Sequence, residues 1–361
     1  MKFSKGITVI LTVASLLATC SRDKTAPAAT QQEAPPATQQ EATKSAALAA
    51  ASPSRAAEPT KPSATGETAG VTEKAPSELA LDLTPSAPAG FKVTIGPKVI
   101  ERGSPCLFTV TSAGALSSLS GATMGKKVFF NPDQSRKTWY GLAGVALESR
   151  LGSQTITLKG SDAGGRPVTF SAQFEIDARK TNIRVPPEFT DPDDEEMARI
   201  AREALLKREA FKTLSDDALW NGSFLRPVDA GIRLTAAFAG TRRFNRGPAK
   251  THRGADFGAP QGTPVKAINS GRVILAESLF YDGNMVTIDH GQGLLSLYLH
   301  LSKMNVKEGD TVSAGQTIGA SGSTGRSSGP HLHLQVKWSG TDIDPLDLMA
   351  LKLPSNLSKS K

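Results

Sequence analysis

Residues 285–300 read MVTIDHGQGLLSLYLH. Met285–Ile288 is a short apolar run, glycines follow at 291 and 293, and Leu294–His300 is apolar again. Runs this brief, bounded by glycine turns and shorter than the roughly ten residues a helix needs, predict strands. The pattern extends outward on both sides. Val265–Ile268 and Val273–Ala276 precede it, Leu332–Val336 follows it, and beyond Phe224 helical periodicity is confined to Leu346–Leu351. Residues 224–361 are therefore expected to form an all-β domain, and the fold class of the whole protein is mainly β.

Further upstream, Phe91, Val93 and Ile95, then Phe108 and Val110, then Val168, Phe170, Ala172, Phe174 and Ile176 alternate with polar residues. Asn131-Pro132-Asp133 and Ala163-Gly164-Gly165 supply turns. Six or seven strands in this span predict a small β-sandwich over residues 91–185, carrying no histidine and serving as a spacer or docking module. A helical connector is expected at 186–223. Asp191-Pro192 opens it, Asp193–Glu196 crowd its first turn, and Met197, Ile200, Ala204, Leu205, Phe211 and Leu214 follow at helical spacing. The acidic cluster reads as solvated charge at a helix N-terminus rather than a metal site. Cys106 reads as a small buried hydrophobe.

Residues 21–90 contain no Phe, Tyr or Trp and repeat Thr-Gln-Gln-Glu-Ala at 30–34 and 38–42. Such a segment builds no core. Residues 20–90 are expected to be a disordered Ala/Pro/Gln-rich tether with a reach on the order of 45 Å. Before it, Lys2 and Lys5 precede an apolar run, Ile7–Leu17, in the order of a secretory signal covering residues 1–19. Leu17-Ala18-Thr19-Cys20 resembles a bacterial lipoprotein box, although Thr19 stands where Gly, Ala or Ser is usual. An ordinary signal peptide, with Cys20 incidental, is the alternative. The expectation is membrane attachment through lipidated Cys20 in the cell envelope, with Ser21 pointing to the outer membrane, facing the periplasm.

The net charge is +8, and residues 224–361, with 16 basic against 10 acidic side chains, hold +6 of it. Nothing in them resembles a recognition helix or an aromatic RNA-stacking platform, so nucleic acid is not expected as a partner. An acidic wall polymer suits the charge better.

All five histidines fall between 252 and 333. In His252-Arg253-Gly254-Ala255-Asp256 a His and an Asp sit four apart around a glycine, without helical periodicity, so a turn entering a strand would bring them together. In His331-Leu332-His333 the two rings share one strand face, about 7 Å apart. In Tyr298-Leu299-His300 alternation puts Tyr and His on a common face likewise. Zinc hydrolases use three N or O ligands and keep a fourth position open. A His-Glu-x-x-His helix is absent, and the only glutamates after 224 are Glu277 and Glu308, so histidine is the candidate for proton transfer. His290, between glycine-rich turns, reads as structural. Arg242, Arg243 and Arg253 are candidates for contacts with substrate carboxylates.

These residues, with Gly262-Thr263-Pro264-Val265, Gly271-Arg272-Val273, Ile288-Asp289-His290-Gly291, Tyr298-Leu299-His300-Leu301 and Gly322-Ser323-Thr324-Gly325 through Gly329-Pro330-His331-Leu332-His333, resemble the lysostaphin-type (LytM) family of zinc peptidoglycan endopeptidases. The resemblance covers about 224–346 closely and 91–361 more loosely, in the manner of a Gram-negative lipoprotein-like member. It implies a LytM-type domain of duplicated-hybrid-motif kind at 224–361 and one Zn²⁺ held by His252, Asp256 and His333. His300 and His331 would flank the reacting water and carbonyl. The implied activity is hydrolysis of peptidoglycan cross-links at D-alanyl to meso-diaminopimelyl bonds. The alternative is a non-catalytic LytM-like activator of a cell-wall amidase. One departure is Phe238-Ala239-Gly240-Thr241-Arg242-Arg243, where the family commonly has Phe-Gly followed by a basic residue; this altered turn at the groove wall bears on substrate fit and leaves every ligand position in place.

Overall fold

Alternation becomes strand order in the front half. A computed structural model describes residues 80–181, 183–184, 191–212, 215–243, 249–355 and 357; the leader, Cys20 and the tether up to residue 79 lie outside them. The strands are β1 (Leu81–Asp82), β2 (Phe91–Gly96), β3 (Pro105–Ser112), β4 (Leu116–Thr123), β5 (Lys126–Pro132), β6 (Thr138–Gly144), β7 (Gly152–Asp162) and β8 (Pro167–Ile176). They pair antiparallel in the order β1-β2-β3-β6-β5-β4-β7-β8. The path folds across itself: Phe91 of β2 meets Phe170 of β8 at 4.9 Å and Phe108 of β3 meets Phe174 at 5.5 Å between ring centroids. Two layers thus enclose Val93, Ile95, Phe108, Phe130, Ile156 and Leu158, all essentially without exposed surface. Cys106 lies buried in β3, and burial pushes its thiol up to about 12, which keeps it unreactive.

After β9 (Ile183–Arg184) comes helix α1 (Asp194–Ala210), then β10 (Leu234–Ala236), β11 (Thr241–Arg243), β12 (Ala249–Thr251), β13 (Ala255–Phe257), β14 (Pro264–Lys266), β15 (Gly271–Leu279), β16 (Gly283–Asp289) and β17 (Leu294–Leu301). The chain continues through β18 (Lys303–Met304), β19 (Thr311–Val312), β20 (Thr317–Ala320), β21 (Leu332–Trp338), β22 (Thr341–Ile343) and the short helix α2 (Pro345–Ala350). The main sheet runs β10-β13-β21-β17-β16-β15-β19, with β22 paired to β21, and β14-β20-β18 forms a smaller sheet. Residues 285–300 are the β16–β17 hairpin at its centre.

One continuous apolar core joins the two halves. At the junction Gly144 of β6 leaves no room for a Cβ beneath Ile343 and Trp338. Asn131 and Gln292 exchange two buried amide hydrogen bonds of 3.0 and 2.9 Å. Arg179 reaches Asp344 and Asp347, each at 2.5 Å, at the start of α2.

Two boundaries differ from expectation. The tether, expected to last to residue 90, ends sooner, because Leu81 pairs with Ile95 and Leu83 is buried. Two leucines are enough to join a sheet edge without any aromatic residue. The connector, expected up to 223, ends near 214: Leu219 and Trp220 donate backbone hydrogen bonds to His290 O, and Trp220 and Phe224 belong to the core. Helix α1 starts as expected, Asp193 and Glu196 closing a capping box of 2.8 and 3.1 Å, which accounts for part of the acidic cluster. Its packed side is largely ionic, however. Glu203 accepts Phe280 N–H at 2.8 Å, Lys207 meets Asp282 at 2.5 Å, and Phe211 packs under the β15–β17 face, while Met197 and Leu205 stay half exposed. The hairpin turn at 280–282 offers polar backbone and a carboxylate, and these select the charged stripe. Among the described residues no helix is long and apolar enough to cross a membrane.

Candidate metal centre

Strand register assembles the centre. Asp256 of β13 lies opposite His333 of β21, and His333 lies opposite Leu299 of β17, so the three occupy one row across the sheet. Directly paired residues share a face, which aims Asp256 and His333 at each other. His252 comes from the turn before β13. Its N–H donates to Gly240 O at 2.7 Å and its carbonyl accepts Ala239 N–H at 2.8 Å. Its ring Nδ1 lies 2.8 Å from Ala237 O. A carbonyl can only accept, so Nδ1 carries the proton and Nε2 presents a lone pair.

That lone pair faces Asp256 Oδ1 at 3.0 Å and His333 Nδ1 at 3.1 Å, and His333 Nδ1 is 2.7 Å from Asp256 Oδ1. Three atoms able to ligate a metal therefore converge within 4.8 Å in this corner. They repel one another unless a proton or a cation lies between them, and two imidazole nitrogens with one carboxylate oxygen are a donor set suited to zinc. The residues fit such an ion. Burial alone would raise the Asp256 carboxyl; a proton shared with the His252 and His333 rings, and the charge it brings, outweighs burial and holds the group well below the carboxylate range. Gly254 is required by the close approach of the His333 ring: a Cβ there would lie 2.6 Å from Nε2 and 2.4 Å from Leu334 O.

Two further imidazoles face the same corner. His331 Nδ1 donates to Gly329 O at 2.8 Å, leaving Nε2 3.9 Å from Asp256 Oδ1. His300 Nδ1 donates to Thr324 O at 2.8 Å, and its ring centroid is 4.9 Å from that of His331 and 6.2 Å from that of His333. Burial, then the neighbouring His331 and His333, push His300 down to about 4, so its imidazole is neutral at neutral pH. The expected shared face of Tyr298 and His300 is corrected here. Tyr298 points into the core, its hydroxyl accepting Ile268 N–H at 2.8 Å and lying 3.1 Å from Ser296 Oγ. His300 instead sits at φ +61° where β16 and β17 slip register, a bulge that places one extra residue between Tyr298 and Leu301. The bulge turns the ring away from the core and toward His331.

Residues 250–345 match the model of peptidase family M23. The matched span contains all five of these residues. This span forms a peptidase M23 domain. The chain is 41% identical over 137 residues to the peptidoglycan DD-endopeptidase ShyA of Vibrio cholerae, a match covering 37% of this chain and 31% of that one. It is 43% identical over 105 residues to the DD-carboxypeptidase/endopeptidase Mpg of Neisseria meningitidis serogroup B, covering 29% and 24%. The chain thus spans about a third or less of the length of these curated relatives. A Pseudomonas aeruginosa crystal structure described as peptidase M23 aligns at 28% identity and TM-score 0.52, over 68% of this chain and 93% of that one.

Within the M23 domain, His290 lies outside the cluster. Fully buried, it contacts Ser270 O through Nδ1 at 2.8 Å and Ser296 Oγ through Nε2 at 2.7 Å, and burial lowers it to about 4. Arg253 is engaged by Asp342 and Glu148. The Phe238–Arg243 departure includes Ala239 and Gly240, which hold the His252 backbone, with Ala239 at φ +64°. The carbonyls of Ala237, Thr324 and Gly329 that orient three rings left no sign in the sequence, because any residue type supplies a carbonyl.

Proposed function

We propose that the protein is a zinc-dependent endopeptidase that hydrolyses peptide cross-links of bacterial peptidoglycan. The observation that carries this reading is the convergence of His252 Nε2, Asp256 Oδ1 and His333 Nδ1, with two more imidazoles of fixed tautomer beside them. His252, Asp256 and His333 would hold the metal. Zinc, when bound, supplies Lewis acidity toward a carbonyl and makes water nucleophilic at neutral pH. His300 and His331 both keep Nδ1 protonated against a backbone carbonyl and offer Nε2 to the substrate side. At Nε2 one of them would accept the proton of the attacking water, and the other, once its Nε2 also carries a proton, would donate to the oxyanion or to the leaving amine.

The names of ShyA and Mpg support the D-alanyl to meso-diaminopimelyl bond as the bond cleaved. The leader and Cys20 support an envelope lipoprotein held at the outer membrane, facing the periplasm, with peptidoglycan as its partner. A non-catalytic amidase activator is not favoured, since none of the five residues is missing. The test is metal analysis of purified protein alongside digestion of purified wall sacculi. Stoichiometric zinc and release of cross-link fragments, abolished by chelator and restored by zinc, are expected; zinc-replete protein that releases no fragments would overturn the reading.

A further inference from the structure

Arg253 follows the proposed ligand His252 directly, and its guanidinium is shared by two carboxylates of different character. Nη1 donates to Asp342 Oδ2 at 2.8 Å and Nη2 to Glu148 Oε1 at 3.1 Å. Asp342 is buried, and its other oxygen accepts from Gln335 Nε2 at 2.6 Å and Lys337 Nζ at 2.5 Å. The Glu148 side chain is 68% exposed, lies in the segment after β6 of the front half, and has Arg253 as its hydrogen-bond partner. One carboxylate orients the guanidinium; the other merely occupies its free edge.

The edge lies on the same sheet face as the metal corner. His333, Gln335 and Lys337 alternate on one face of β21, and Asp342 of β22 pairs with Lys337. Gln335 is one two-residue step, about 7 Å, from His333. Charge points to the kind of ligand. Arg253, Lys337 and Lys126, the last of which feels both Asp342 and Lys337, surround one buried carboxylate. Positive charge is left over, and exposed Glu148 offsets part of it. An arriving carboxylate can replace Glu148 on Nη2 with little change in electrostatic balance, whereas an uncharged peptide cannot.

Resting on the peptidoglycan reading, we propose that the Nη2 edge of Arg253 is a subsite for a carboxylate of the acidic wall peptide, with Glu148 as its displaceable internal stand-in. The subsite selects acidic stem peptides over uncharged ones and makes the front half a direct competitor for the groove. Glu148 swings into solvent when the peptide binds.

The test is calorimetric titration of the zinc-loaded full chain carrying His331→Ala, so that peptide is not consumed. The probes are a soluble cross-linked stem-peptide dimer with free carboxyls and the same dimer with its carboxyls amidated. Arg253→Gln should weaken binding of the free-acid dimer about tenfold and of the amidated dimer less than about twofold. Glu148→Gln should tighten binding of the free-acid dimer by about threefold, and this second variant keeps the test decisive if Arg253→Gln does not fold. Equal effects on both dimers, no gain with Glu148→Gln, or binding of neither dimer to the parent would overturn the subsite. Digestion of sacculi by protein with His331 intact is scored separately: the binding pattern without hydrolysis overturns the endopeptidase reading alone, and hydrolysis without the pattern overturns the subsite alone.

Discussion

The front sheet and the M23 sheet are both antiparallel and share one apolar core, yet they bury different things. In the front half the buried polar residues are Ser104, Ser112, Thr123 and Asn131, none of them ionisable. The M23 half buries His252, His290, His300, Asp256, Asp289, Asp342 and Asp344. Burying an ionisable group is unfavourable unless partners compensate. Asp344 has Arg179, Asp342 has Arg253 and Lys337, and His290 has Ser270 and Ser296. Asp256, His252 and His333 bring their ligand atoms within 4.8 Å of one another, and among the described residues no such cluster lies in the front half.

The strongest way to break this contrast is to separate two histidines on one strand. His333→Ala should lose most of its zinc at chelator-buffered metal levels, and activity with it. His331→Ala should keep near-stoichiometric zinc and its folded spectrum while hydrolysis falls on the order of 10² or more. Metal analysis and cross-link release on the same preparations decide it, and equal zinc loss in both would assign the strand's two rings the other way.

The next effect tests whether the halves are energetically one body. Trp220→Ala removes a buried indole from the shared core and should cost about 3–5 kcal/mol, read as a shift in urea midpoint of the whole chain. Asn131→Leu leaves the buried Gln292 amide without its partner and should cost about 1–3 kcal/mol. Two separate unfolding transitions, with only one of them displaced, would show that the junction does not couple the halves.

A pH effect of intermediate size belongs to the M23 half alone. His290 is held near 4 in the folded protein against 6.5 when unfolded. The unfolded chain therefore takes up the proton first, and the contribution of neutral His290 to stability is lost as pH falls from 6.5 toward 4. The urea midpoint should drop over that window, and less steeply in His290→Gln.

The smallest expected effect is at Ala239, held at φ +64°. Ala→Gly usually destabilises by about 0.4–1 kcal/mol by freeing the unfolded chain, but in this turn relief of the left-handed backbone should make Ala239→Gly neutral or stabilising by up to about 1 kcal/mol. Thermal melts of the metal-free and zinc-loaded protein measure it.

Much of this molecule follows from periodicity and spacing alone. Period-two runs located the β2, β3 and β8 strands, because a half-buried strand alternates, and short apolar runs between glycine turns located β16 and β17, which are almost wholly buried. The i, i+2 spacing of His331 and His333 dictated a shared strand face, because the pleat repeats every two residues. The Asp-rich helix start was legible because capping acts between neighbours in sequence. The tertiary structure decided what depends on distant partners. Leu81 and Leu83 became part of a sheet only because β2 was there to receive them. Helix α1 docked by its charged stripe because the 280–282 turn offered polar groups, and His300 left the Tyr298 face because β16 and β17 slip by one residue. The tautomers of His252, His300 and His331 were set by the carbonyls of Ala237, Thr324 and Gly329. Arg253, one residue from a ligand, was claimed by Asp342 and Glu148, from positions 89 residues later and 105 residues earlier. Local pattern determines which face a side chain takes within a regular element; irregular backbone, carbonyl partners and long-range charge pairs carry no local signature, so only the assembled fold could settle them.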